Sequence, residues 1–281
     1  MNNTFIMINR KIIILITAVA LNSLWSQNPW RNNSTKNEMI EKKPARDMSK
    51  PVEWGYLDSL AGVYYLDQVP YSGPVIKQLE IGLLTGEFKA GLKHGLWQTL
   101  NKIGQPIMIG HFKEGRKHGK FEQWYDDGDE RHRELIATFD NDKYVDEYKE
   151  WYENGKKSIM GFYIDGKEHG KYTEWYENGK KALKAKFING EPDGLYKEWH
   201  PNGKRSLRVK YIEGKENGMW TQWYENGRKQ MKIGYVNGVP RGRAKFWFPD
   251  GSLKGEGIVR SEVQGGGWIL LDPDGNKKVY K

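Results

Sequence analysis

The chain has 281 residues, no cysteine, a formal net charge of +9, and 13% aromatic residues. The absence of cysteine excludes a disulfide framework and a thiol nucleophile, and the aromatic content excludes simple disorder, because Trp and Tyr cover large apolar areas. The mean hydropathy is low, and much of the positive balance lies in the N-terminal segment and residues 27–50, so the remaining field is modest.

At the N-terminus Arg10 and Lys11 precede an apolar run from Ile12 to Leu21, interrupted only by Thr17, and Ser23 to Ser26 follow. A positive region, a short apolar stretch and a small residue at Ser26 predict a signal peptide over residues 1–26, with an uncleaved anchor as the alternative. The run is short for a membrane span, and no cysteine follows it that could carry a lipid. The mature protein is therefore expected to be exported: periplasmic, outer-membrane-associated or extracellular. Residues 27–51 read as a flexible linker, rich in Asn, Lys, Ser and Glu and nearly free of aromatics after Trp30.

From residue 52 to 281 the chain repeats itself. Trp-Tyr-Glu-Asn-Gly occurs at Trp151 to Gly155, Trp175 to Gly179 and Trp223 to Gly227, with Trp199-His200-Pro201-Asn202-Gly203 in the same register. The turn glycines Gly155, Gly179, Gly203, Gly227, Gly251 and Gly275 keep a 24-residue period, and Gly104 and Gly128 extend it upstream. Self-similarity at such a period marks a repeat array in which each unit buries its apolar surface only against its neighbours. One unit, about 124–150, is irregular: it is three residues longer, and Asp142 and Asp146 stand where the next unit has Gly166 and Gly170. That predicts a kink or a bulged loop.

Each unit reads as a β-hairpin. In one of them Lys171 to Tyr176 is rich in aromatic and β-branched residues, Asn178-Gly179 is a turn signal, and Lys181 to Ile188 alternates. A two-residue loop would place Trp175 on the face of Lys184 and Lys186. A three-residue loop with Gly179 left-handed would instead set Trp199 and Leu195 with Leu207, Val209 and Tyr211, leaving Tyr196, Glu198, Ser206, Arg208 and Lys210 on the other face. The second separation is cleaner and is the one expected. The fold class is all-β: a single elongated, twisted antiparallel meander, in which eight units of two strands would advance on the order of 80 Å.

These residues also carry a family resemblance. Gly86 to Gly95 resembles the MORN repeat (membrane occupation and recognition nexus), and Glu174 to Lys180 resembles its variant form in bacterial YwqK-type antitoxins, whose opening unit is similar to Val63 to Asp67 and Pro70 to Gly73. The resemblance implies a ribbon that binds protein or phospholipid. The antitoxin label brings no residue motif with it, and an export signal departs from it.

Other constellations point to structure more than to chemistry. His94, His118 and His169 fill the same turn slot of different units, ~10 Å or more apart, so they do not form a metal site, and no cofactor is implied. The acidic runs Asp126 to Glu130 and Asp140 to Asp142 match no complete calcium loop and read as solvated turns. No catalytic signature is present, so an enzyme is not expected. Glu150, Glu174 and Glu198 are expected to lie across from Lys184, Arg208 and their equivalents in neutralising ladders, which argues against nucleic acid. The candidate binding residues are the column Trp151, Trp175, Trp199, Trp223 and Trp247. They either pack against Leu183, Leu207, Met231 and the column Tyr163, Phe187, Tyr211, Tyr235, or line an open face for a partner. The function expected is an envelope interaction platform, with a protein partner first, then phospholipid or glycan, and self-association as a further outcome. A YwqK-type antitoxin is the alternative.

Overall fold

The computed structural model describes Asp47, residues 50–126 and 132–259, and the backbone of Trp268–Leu271 and Lys277–Tyr280. The described residues belong to one unit, 47–281. The predicted signal peptide, most of the linker, Gly128 and Gly275 lie outside them.

Between Gly73–Leu79 and Leu253–Val259 each long strand pairs antiparallel with the next, in one meandering sheet. Val52–Glu53 joins the first of these strands in parallel. Among the described residues there is no α-helix, only a short 3-10 turn at Trp54–Tyr56. That turn packs its Trp54 ring against Tyr64, Phe88 and Trp97, closing the first core cluster. Trp268–Leu271 and Lys277–Tyr280 pair as a last hairpin.

The hairpin turns form as the Asn-Gly signal predicts. The Tyr176 N–H donates to the Lys180 carbonyl at 2.8 Å, and the Gly179 N–H donates to the Tyr176 carbonyl at 2.7 Å. Together these close a three-residue loop whose last member, Gly179, sits at φ +86°, a left-handed angle that a Cβ disfavours.

One residue later the register departs from the expectation. Trp175 pairs with Lys181, but Glu174 pairs with Leu183, so Ala182 is an extra residue in a β-bulge. The same bulge recurs at Ser158, Ser206, Gln230 and Lys254. Because side chains alternate with period 2, one inserted residue exchanges the faces of everything beyond it. Leu207, Val209 and Tyr211 therefore share a face with Glu198, Tyr196 and Gly194, not with Trp199 and Leu195. The expected three-residue loop is present; the expected face assignment is wrong.

A single-layer sheet buries a core here because large rings lie over small residues. On the inner face, Trp97 pairs with Gly110, Gly110 with Phe121, Phe121 with Ala137, Ala137 with Tyr148 and Tyr148 with Gly161. Further on, Tyr172 pairs with Ala185 and Tyr196 with Val209. Trp97, Ala137 and Val209 are fully buried. The rings of successive strands meet edge to face, as for Tyr172 with Phe187 at 5.4 Å and Tyr196 with Tyr211 at 5.5 Å.

Residues of the repeated turn stitch each unit to the next. The hydroxyls of Tyr152, Tyr176 and Tyr224 donate to the carbonyls of Trp175, Trp199 and Trp247, and His200 takes the same place against Trp223. Asn178 Nδ2 donates to the Pro201 carbonyl while its Oδ1 accepts from the Lys180 N–H, and Lys180 Nζ reaches the Asn202 carbonyl. Each such bond contributes about 1 kcal/mol, so the motif secures unit-to-unit docking through several small terms.

In the irregular unit, Asp142 and Asp146 adopt φ of 68° and 61°, close to the 78° and 76° of Gly166 and Gly170. Asp tolerates this angle better than most side chains, so the lost glycines do not break the strand Lys143–Trp151. A register shift does fall between Ala137 and Thr138. The insertion expected near Gly128 to Glu134 falls mostly on residues 127–131, which lie outside the described residues.

Candidate interaction surface

With the bulge in place, the outer face carries the tryptophans and the cations together. Trp175 and Thr173 alternate on one strand, and Thr173 stands in a cross-strand row that runs from Glu122 through Ile136, Lys149, Met160, Thr173, Lys184, Lys197, Arg208, Thr221, Lys232 and Lys245 to Glu256. Lys184 stands directly opposite Lys197, Lys197 opposite Arg208, and Lys232 opposite Lys245. Like charges in such positions repel. Lys245 is paired with Glu256 at 2.6 Å, whereas among the described residues no carboxylate lies within ion-pair distance of Lys184, Lys197, Arg208 or Lys232.

A second row runs beside the first, at the turn edge. Trp151, Trp175, Trp199 and Trp223 stand opposite Lys157, Lys181, Arg205 and Lys229, and Trp247 stands opposite Leu253. All five tryptophans are half-buried. Lys157 Nζ lies 6.0 Å from the Trp175 ring and Lys229 Nζ 5.8 Å from that of Trp247, within cation–π range. Toward the opposite edge the same face exposes Leu195 and Met219, which with Arg208, Lys210 and Asn217 line a shallow depression.

The tryptophans thus do not pack against Leu183, Leu207, Met231 or the Tyr163, Phe187, Tyr211, Tyr235 column, all of which lie on the inner face. The inner column that does form the core comprises Trp97, Phe121, Tyr148, Tyr172, Tyr196 and Trp220. Sequence reasoning missed it, although most of its members stand two residues after a spacer glycine at the same period.

The carboxylates are also displaced from their expected place. Glu150 pairs with Leu135 and Ile159, Glu174 with Ile159 and Leu183, and Glu198 with Leu183 and Leu207. They alternate with aliphatic residues on the inner face instead of neutralising Lys184 and Arg208. Tyrosines serve them there: Tyr148 Oη donates to Glu150 at 2.7 Å and Tyr196 Oη to Glu198 at 3.1 Å. Burial raises the Glu150 pKa above the usual carboxylate range, and its bonds from Tyr148 and Ser158 oppose that shift.

At the N-terminal end the inner face instead carries Lys93, whose Nζ lies 4.7 Å from the Trp97 ring and 5.0 Å from Phe112. Burial, then the nearby Lys117 and Lys77, pull its pKa down to about 7. His94 and His118 lie within the strands Leu92–Asn101 and Arg116–Trp124 and not in turns as expected, His118 Nδ1 lying 3.2 Å from Asp140, and of the three His169 alone stands between strands. Asp126 accepts from Asn101, and Asp142 from the Lys117 N–H. Among the described residues no group of three or more acidic or imidazole side chains could hold a metal ion.

What this geometry defines is a tandem β-hairpin repeat protein, an architecture that presents surfaces for binding. The family model described as MORN repeat variant matches residues 147–165, 168–189 and 192–212. MORN repeats generally bind protein or membrane, and the matched segments are similar to them over that span. A comparison with curated proteins returns no match.

Proposed function

We propose that this chain is an exported, non-enzymatic interaction platform of the cell envelope, and that its working surface is the outer face of the repeat array. The observation that supports it most is charge separation across one sheet. Glu150, Glu174 and Glu198 are drawn inward and the outer-face Glu122, Glu147 and Glu256 are held by Lys120, Lys149 and Lys245, while Lys184, Lys197, Arg208 and Lys232 face outward without a carboxylate partner among the described residues. Opposed cations cost stability unless an anionic partner sits over them. A protein with an acidic surface or an anionic phospholipid layer meets that requirement.

The test is capture of partners from native envelope extract by the mature chain. Charge reversal at Lys184, Lys197 and Arg208 should abolish capture while the thermal midpoint changes little, because these side chains lie on the face opposite the core. Capture unaffected by reversal would exclude the outer face. Export rests on Arg10, Lys11, the apolar run and Ser26, and N-terminal sequencing of the protein from its host should begin near Gln27; recovery with Met1 intact would rule export out.

A further inference from the structure

The geometry points to a linear acidic polysaccharide as the ligand of the outer face, lying along the array with its carboxylates on the Lys184 row and its sugar rings on the tryptophan row. This inference rests on the outer face being the working surface.

The arrangement of charge is the first argument. The cations are neither clustered nor scattered: Lys184, Lys197 and Arg208 occupy one position on three successive strands, and Lys232 and Lys245 occupy it on two more. Adjacent strands are ~4.8 Å apart, so the row presents charge at nearly regular steps along the direction in which the units stack. A compact anion would satisfy one pair of these cations and leave the rest opposed. An extended polyanion satisfies all of them at once, and relieves the repulsion between Lys184 and Lys197, between Lys197 and Arg208, and between Lys232 and Lys245.

The tryptophans supply the second argument. They recur once per unit, that is every second strand or ~10 Å, in a row parallel to the cations. An extended pyranose chain advances by about one ring per strand spacing, so alternate rings fall over successive indoles. The apolar C–H face of a pyranose matches an indole surface, and between the indoles stand Lys157, Lys181, Arg205 and Lys229, which keep the lane positive. A bilayer would use the rows as a plane and has no need of their common period.

The experiment uses the full mature chain with four probes: polygalacturonate, dextran, polyphosphate, and phosphatidylcholine–phosphatidylglycerol vesicles. Binding is read by Trp fluorescence and by sedimentation, and folding is checked by circular dichroism on every variant. Polygalacturonate should bind and shift the fluorescence, dextran should not bind, and raising salt to 1 M should weaken binding on the order of tenfold or more. Lys184→Ala with Arg208→Ala should weaken it on the order of tenfold. Trp175→Phe with Trp199→Phe, which keeps a ring and guards the fold, should shrink the fluorescence shift and reduce affinity several-fold. Polyphosphate binding as tight as polygalacturonate, or affinity indifferent to the Trp changes, would overturn the glycan proposal while leaving the basic face as a platform. Vesicle binding without polygalacturonate binding overturns it in the same way. Binding of no probe, together with no loss of envelope capture on charge reversal, overturns both readings.

Discussion

Gly110 lies between the Trp97 and Phe121 strands, and a Cβ built on it would come within 2.2 Å of the Phe121 ring. The ring cannot move aside without leaving its own neighbours, Phe112 at 5.4 Å and Phe139 at 4.9 Å. Gly110→Ala should therefore destabilise by about 1–3 kcal/mol through overpacking. Gly255 has nothing within 4 Å of such a Cβ and an ordinary φ, so Gly255→Ala should be neutral or stabilise by about 0.4–1 kcal/mol. Urea unfolding of the two variants separates a glycine kept for space from one that is not. Tyr176→Phe, which removes the bond to the Trp199 carbonyl, should cost about 1 kcal/mol in the same assay.

At the scale of the hairpin, the loop was legible and the bulge was not. Asn178-Gly179 specifies a left-handed residue after a type I turn, and that chemistry is local. The bulge takes Ser158, Ala182, Ser206, Gln230 or Lys254 as its extra residue, so no residue type at that position announces it. Ala182 and Leu183, two adjacent apolar residues where strict alternation allows one, hint at it, but Ser206 in the next unit hides the same event. Glu150 shows a consequence. Its pKa is raised in the folded protein above the unfolded value, so the native state binds more protons across that window. Stability from this group is present below the ordinary carboxylate range and is lost as pH rises through the raised value. Glu150→Gln should flatten that part of the profile and stabilise at neutral pH, as read from urea midpoints compared with the parent chain over a pH series. A variant whose profile kept the parent slope would place the proton elsewhere.

For the whole array, the repeat period made the architecture readable, since glycines at a 24-residue interval can belong only to stacked units. The candidate surface was half readable. The five tryptophans were identified and do form one row, yet their companions were misassigned, because a face depends on the register of every hairpin and each bulge changes it by one. With the bulges, aromatic and basic rows fall together and Glu150, Glu174 and Glu198 turn inward; without them, Trp199 would lie among Leu207 and Val209, and Arg208 would lie beside Glu198. Because the chain has no cysteine, this register can be tested with paired substitutions and mild oxidation. Lys197→Cys with Arg208→Cys should form a disulfide detectable by mass spectrometry, since these residues are direct cross-strand partners on one face. Lys197→Cys with Leu207→Cys should not, because their Cβ atoms project to opposite faces. Cross-linking of the 197/207 pair and none of the 197/208 pair would restore the plain register and remove the two-faced surface on which the proposed function depends.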